Sequence, residues 1–399
     1  MDATIGLRAS AGAAAIIRSM RSAADATGAW AEAPRRSGPP GVLTTVLVVL
    51  AVTIVLGLCA MSLAESLLAW DVRFAYLPAA EAVLVGESPY PALDDPILEE
   101  QKGYVYPPQL VLSFIPLTWL PVDVAAVVFA VLLLALLAGT LYVLDVRDVR
   151  CYAAAALWVP SISAVLLGNV SIPLAFGLAL LWRYRGAVGP AGVALGLSVS
   201  AKLVLWPMLV WTLATRRIAT TLAALAVGLV VTIAAWAAIG FAGMSGYPDL
   251  VRALSDIQAE NSYSLVGVAA AAGLGAGFGQ VLALLVGLAL LTGCVLFARR
   301  GDDQRSFTCA VVATLAVSPI VWLHYLVVLL VPTAIARPRL SAIWFLPILL
   351  WVSPKPGYAE GIATFAPGVA VAIVTAVLLV RPNAGEPRSG AVGRGAVPA

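Results

Sequence analysis

The chain has 399 residues, 61% hydrophobic and 11% charged, with a formal net charge of +3 and a mean hydropathy of +0.98. Soluble globular domains carry about 25% charged residues, so the composition excludes an ordinary soluble enzyme and points to a polytopic membrane protein. The arginines sit in short clusters between apolar runs and not along one amphipathic face, which excludes a nucleic-acid surface; membrane lipids are expected as partners and nucleic acid is not.

Several apolar runs reach the roughly 20 residues that a helical crossing needs. No alternating pattern of barrel type occurs, so an all-α fold is predicted. Residues 1–40 hold scattered Arg8, Arg18 and Arg21, followed by Pro34, Pro39 and Pro40. They read as a largely disordered cytoplasmic tail without a signal-peptide core. The multispanning domain is predicted over 41–381. Its first span runs from about residue 41 to residue 62, and Arg35 and Arg36 just before it place the N-terminus inside by the positive-inside tendency.

The segment 63–108 that follows is the long polar interruption of the front half. Glu65, Asp71, Glu81, Glu87, Asp94, Asp95, Glu99 and Glu100 stand there against only Arg73 and Lys102. A loop of this charge belongs on the extracytoplasmic face. Residues 109–121 are apolar but short and contain Pro116, which fits either a second span or a helix that dips in and returns. Residues 122–144 form a clear span.

Arg147 with Arg150, Arg183 with Arg185, Arg216 with Arg217, Arg299 with Arg300, Arg337 with Arg339, and Arg381 mark cytoplasmic turns. Between them lie hairpins over 151–182, turning at Gly168 and Asn169, over 190–215, turning near Lys202, and over 307–336, turning at 318–324. A last hairpin over 341–381 turns at 353–361. A second outer loop spans 241–279 with Asp249, Asp256, Glu260, Asn261 and Ser262. The tail 382–399 reads as cytoplasmic and disordered. The reading comes to about 12 crossings with both termini inside, and the polar tips converge on the side of the acidic loop.

Asp71 follows Trp70 where the first apolar run meets water. A half-buried carboxylate there has its pKa raised by desolvation and can serve as a general base, or it is a solvated helix-end acid. Lys202 lies in apolar sequence on both sides; it is either the counter-charge of a lipid phosphate or a lysine snorkelling into headgroups. His324, the only histidine, lies at another outer tip between Trp322 and Tyr325, as a catalytic or an interfacial residue. Trp70, Tyr76, Tyr90, Tyr104, Tyr106, Trp119 and Trp322 fit an interfacial belt and also faces that pack on sugar rings. Cys59, Cys151, Cys294 and Cys309 show no metal or redox spacing and read as packing thiols. Asp94, Asp95, Glu99 and Glu100 offer clustered oxygens but no calcium-loop spacing, so neither a metal nor another cofactor is expected.

In order along the chain these pieces resemble a known family. Asp71, then Tyr76, Ala79 and Ala80, then Gly86-Glu87-Ser88-Pro89-Tyr90 and Tyr104-Val105-Tyr106-Pro107-Pro108 resemble the first outer loop of glycosyltransferase family 87. Gly168-Asn169-Val170, Ala201-Lys202 with Trp206-Pro207, Asn261-Ser262, and Ser318-Pro319 with Trp322 and His324 continue the match, which covers about residues 42–380. The resemblance implies a multispanning GT-C fold and inverting transfer from a polyprenyl-phosphate sugar, most often mannose in α-(1→2) linkage, to a lipid-linked or envelope glycan at the outer face of the plasma membrane.

It further implies Asp71 as the base, Lys202, His324 and Arg73 at the donor phosphate, and Tyr76, Tyr90, Tyr104, Tyr106, Asn169, Asn261 and Trp322 at the sugars. The sequence departs from the family in having asparagine at 169 and Tyr325 after a single histidine where some members have two. An arabinofuranose donor is the alternative within the class. A transporter or lipid flippase is the alternative outside it, and would place charged residues along mid-membrane faces with matched repeats; here the polar residues gather at one face, and no internal repeat occurs.

Overall fold

The computed structural model describes residues 41–100, 102–353 and 362–380. The expected tails 1–40 and 382–399, Arg381 and most of the 353–361 tip lie outside the described residues. The chain divides into two compact units, Met1–Val46 and Leu47–Ala399. Of the first, only the opening of helix α1 is described.

Among the described residues the secondary structure is entirely helical. The helices are α1 (Val42–Ala64), α2 (Leu77–Leu84), α3 (Pro108–Phe114), α4 (Val122–Val143), α5 (Val149–Leu157), α6 (Val159–Leu167), α7 (Ser171–Arg183) and α8 (Val188–Ala201). They continue as α9 (Pro207–Ala214), α10 (Ile218–Ala238), α11 (Tyr247–Gln258), α12 (Leu265–Ala271), α13 (Ala276–Arg299), α14 (Asp303–Ala316), α15 (Leu330–Ala336) and α16 (Ile362–Val380). Five of them, α1, α4, α10, α13 and α16, are long and apolar enough to cross a membrane, and α5 with α6 makes a sixth if that bent pair is one span. The sequence count of twelve also treats as crossings the apolar helices of 10–17 residues, such as α7 and α8. Residues 109–121 take the short form: α3 has 7 residues and the 3₁₀ turn Ile115–Trp119 has 5, less than a crossing requires.

Three local devices shape the site. First, α5 and α6 meet at a bend of 64°. Pro160 has no N–H to donate and its ring clashes with the preceding turn, so the helix restarts at Val159. The Trp158 indole at the break donates to the Trp344 carbonyl at 2.8 Å. Second, the five residues Val72–Tyr76 form a π-helical turn. Third, α8 and α10 pack through small residues in the manner of membrane helices. A Cβ at Gly192 would lie 2.6 Å from the Ala223 Cβ, and one at Gly196 would lie 2.6 Å from the Ala224 carbonyl oxygen.

The arginine turns are joined to one another by ion pairs. Asp145 meets Arg147 at 2.6 Å and Arg183 at 3.0 Å. Asp303 meets Arg185 at 3.1 Å and Arg217 at 2.7 Å. Asp148 pairs with Arg150 at 2.8 Å and accepts from the Leu340 N–H at 3.0 Å. The helices that leave these turns, α7, α8 and α14, have their other ends at Asn169, at Lys202 and just before 318–324. Each apolar rod therefore has one end in an arginine cluster and one at the polar tips.

Candidate active site

The polar tips enclose a cavity of about 820 Å³. Its lining includes Asp71, Tyr76, Tyr106, Asn169, Asn261, Trp322 and His324, all singled out in the sequence, together with Gln258 and Tyr263, which were not. Nothing in the sequence pattern separates those two from other loop residues; only the packing of α11 and α12 brings them in.

Asp71 stands immediately before the π turn. In a π-helix the repeat is i to i+5, so Tyr76 comes back over Asp71, and its hydroxyl donates to Asp71 Oδ2 at 3.3 Å. An α-helical turn would carry the fifth residue to another face. The Asn169 Nδ2 donates to the same Oδ2 at 2.6 Å and to the Tyr106 hydroxyl at 3.1 Å. Asn169 is delivered by Gly168, which closes α6 in the left-handed conformation at φ +67°. A Cβ at Gly168 would lie 2.8 Å from the Ala69 Cβ and 2.9 Å from the Ala69 Cα. The Ala69 N–H donates to the Leu166 carbonyl at 2.8 Å, so the approach to Asp71 is fixed to the same turn. Burial pushes the Asp71 carboxyl up to about 6, against the downward pull of the Asn169 hydrogen bond, the Lys202 charge and the Tyr76 hydroxyl.

Lys202 sits where α8 ends, its backbone extended at φ −152° before the 3₁₀ turn Leu203–Leu205. Its Nζ lies 3.4 Å from the centre of the Tyr325 ring and 5.4 Å from that of Tyr106. Among the described residues the buried Nζ has no hydrogen-bond partner, and neither has the buried Nε2 of His324. The loop of Asn261 is tied to the His324 tip by the Tyr263 N–H, which donates to the Val321 carbonyl at 2.7 Å.

Lys202 itself does not line the cavity, and three further residues expected at the site stand elsewhere. Arg73 turns to Asp123 at 2.6 Å, and its Nε donates to the Leu68 carbonyl at 2.6 Å. It braces the loop against the start of α4 and does not line the cavity. Tyr90 donates to the Tyr106 carbonyl at 3.2 Å and packs on Trp236 and Tyr247. Tyr104 donates to the Pro107 carbonyl at 2.7 Å and accepts from the Val111 N–H at 2.8 Å. Both tyrosines lock the loop that carries Tyr106. Asp94, Asp95, Glu99 and Glu100 do not converge; Asp95 caps a 3₁₀ turn and Glu100 pairs with Lys102 at 2.8 Å. Among the described residues no three His, Cys, Asp or Glu side chains are grouped to hold a metal ion.

A helical membrane chain that lines a sugar-sized cavity with the hydrogen-bonded Asp71 carboxylate, side-chain amides, tyrosines and the unpartnered His324 Nε2, with the unpartnered Lys202 Nζ close to the Tyr106 ring, has the make-up of a membrane-embedded transfer enzyme. The model of glycosyltransferase family 87 matches residues 104–319, more than half of the chain, and the chain belongs to that family. It is thus a membrane glycosyltransferase. The matched range holds Tyr106, Asn169, Lys202 and Asn261, and leaves Asp71, Trp322 and His324 outside it. No curated protein and no solved structure matches the chain.

Proposed function

We propose that the enzyme moves a sugar, mannose in the first instance, from a polyprenyl-phosphate donor to a lipid-linked or envelope-glycan acceptor by inverting displacement. The reaction takes place at the extracytoplasmic face of the plasma membrane. Asp71 is the general base. It takes the proton of the acceptor hydroxyl as that oxygen forms its bond to the anomeric carbon. The bond from that carbon to the phosphate oxygen breaks, and its electron pair leaves with the polyprenyl phosphate.

The observation that carries this reading is a cavity lined by the Asp71 carboxylate and by His324, whose buried Nε2 lacks a hydrogen-bond partner among the described residues, with the equally unpartnered Lys202 Nζ off the cavity wall, 5.4 Å from the ring centre of the lining Tyr106. A buried cation without a partner is costly. A phosphate between these two nitrogens removes that cost and gains the stabilisation that the leaving group needs. Trp322, Asn261 and Gln258 supply an aromatic face and amides for neutral sugars. Arg73, held by Asp123, has no part in the donor site. The mannose assignment comes from the family resemblance, and an arabinofuranose donor is the alternative to test second.

The experiment is transfer from labelled polyprenyl-phosphate mannose by the purified full chain in liposomes. General-base catalysis contributes roughly 10²–10⁴-fold, so Asp71→Asn is expected to lose at least about 100-fold in rate while inserting normally. Because Asp71 acts ionised and its pKa is raised to about 6, wild-type turnover falls as the pH drops through that value. Equal turnover in the two proteins removes Asp71 from the mechanism, and transfer from the arabinose donor alone reassigns the sugar.

A further inference from the structure

The side-chain amide of Asn169 has no capacity left for a substrate. Its Oδ1 accepts from the Ser171 backbone N–H at 3.1 Å and from the Ser171 Oγ at 2.8 Å. Its Nδ2 gives one hydrogen to Asp71 and the other to Tyr106. Two acceptor sites and two donor hydrogens are the whole inventory of an asparagine side chain.

We propose that Asn169 is a positioning residue for Asp71, locked by Ser171 into the one orientation that presents its NH₂ to a single carboxylate oxygen and leaves the other oxygen facing the cavity. The inference rests on reading Asp71 as the base. The orientation follows from chemistry. A backbone N–H can only donate, so the Asn169 atom beside Ser171 N is the oxygen, and the NH₂ must face Asp71. The flipped amide would set its oxygen against a carboxylate and its NH₂ against an N–H. Asn169 is only 2% exposed, so no room exists for a third arrangement.

Both donors to Asp71, Asn169 and Tyr76, fall on Oδ2. No described residue bonds to Oδ1, which leaves that atom for the acceptor hydroxyl. The other titratable groups around the carboxylate are Tyr106 from the loop, Lys202 from the break after α8, and His324 and Tyr325 from the tip after α14, with Glu100 on the cavity wall. None of these donates to Asp71. A hydrogen bond that reaches only the ionised carboxylate favours ionisation, so Asn169 opposes the effect of burial and keeps the base usable near neutral pH.

The test compares wild type, Asn169→Leu and Ser171→Ala as full chains in liposomes, by pH profile and by KM for the acceptor. Asn169→Leu keeps the volume and removes the donor. The acidic limb is expected to move up by roughly one pH unit or more, from the usual strength of a hydrogen bond to a charged group. Ser171→Ala, which removes the hydroxyl and leaves the backbone N–H to hold the amide oxygen, loosens the amide and moves the limb by less in the same direction, with the acceptor KM unchanged in both. An unmoved limb with a raised acceptor KM overturns the proposal in favour of a sugar contact. Infrared titration of the Asp71 carboxyl band, assigned by its loss in Asp71→Asn, gives the second readout without activity. An upward shift in Asn169→Leu is expected, and no shift overturns the proposal. A shifted band in protein that transfers no sugar from any donor defeats the assignment of Asp71 as base and leaves the positioning intact.

Discussion

Around Lys202 the decisive quantity is hydrogen bonding that is missing. A lysine beside the Tyr325 ring gains from the cation–π contact, but its three N–H groups find no acceptor among the described residues. A structural lysine would have acquired one; a lysine that meets a phosphate need not. Lys202→Met keeps the length and apolar stem and removes the charge. The expected result is a loss of roughly 10- to 100-fold in kcat/KM for the donor, the usual range for a hydrogen bond to a charged group. Protein yield and the acceptor KM stay as in wild type. Donor-saturation kinetics check this, and an unchanged donor kcat/KM would mean that His324 acts alone. Arg73 gives the contrast. It looked equally available in the sequence, being one of two cations in an acidic loop, but Asp123 lies fifty positions later. A pairing at that separation leaves no trace in local composition.

At the level of elements the site depends on irregular turns. Gly168 was legible as the glycine of a hairpin tip, but the reason it must be glycine was not. Alanine at φ +67° costs roughly 1–2 kcal/mol, and overlap with the Ala69 backbone adds roughly 1–3 kcal/mol. Gly168→Ala is therefore expected to move the Asn169 turn away from Asp71 and to lower turnover far more than it lowers the melting temperature. Thermal unfolding in detergent beside initial rates checks this, and a parallel loss of both would mean general destabilisation. The long apolar helices were readable because their composition alone meets the length of a crossing. The π turn was not, since Val72–Tyr76 carries no signal that separates it from an α-helical turn, and with it went the return of Tyr76 onto Asp71. The short length of α3 was similarly undecided until the 3₁₀ turn after it appeared. Tyr90 and Tyr104 matched the expected motif, yet their hydroxyls are engaged by backbone carbonyls, which a list of aromatics does not reveal.

For the whole molecule, the convergence of the hairpin tips was readable because each arginine cluster fixes one end of a hairpin and leaves the polar tip at the other. The partners within the cavity were not readable, because they come from seven separate segments between Trp70 and Phe365. The rods between the two ends are short: α7 has 13 residues and α8 and α14 have 14 each. At 1.5 Å per residue they extend about 20 Å, against a hydrocarbon core about 30 Å thick. With the arginine ends at one boundary, the floor of the cavity lies roughly 10 Å short of the other. The consequence is electrical. An anionic substrate drawn to that depth crosses about a third of the voltage drop, where a full crossing is worth about 2.3 kcal/mol per unit charge at 100 mV. Sugar transfer in liposomes is thus expected to change by roughly three- to fourfold when an ion-gradient potential of about 100 mV is imposed from zero. Turnover indifferent to voltage would put Asp71 at the surface, so the bilayer's own charge separation becomes a ruler for the depth of the chemistry.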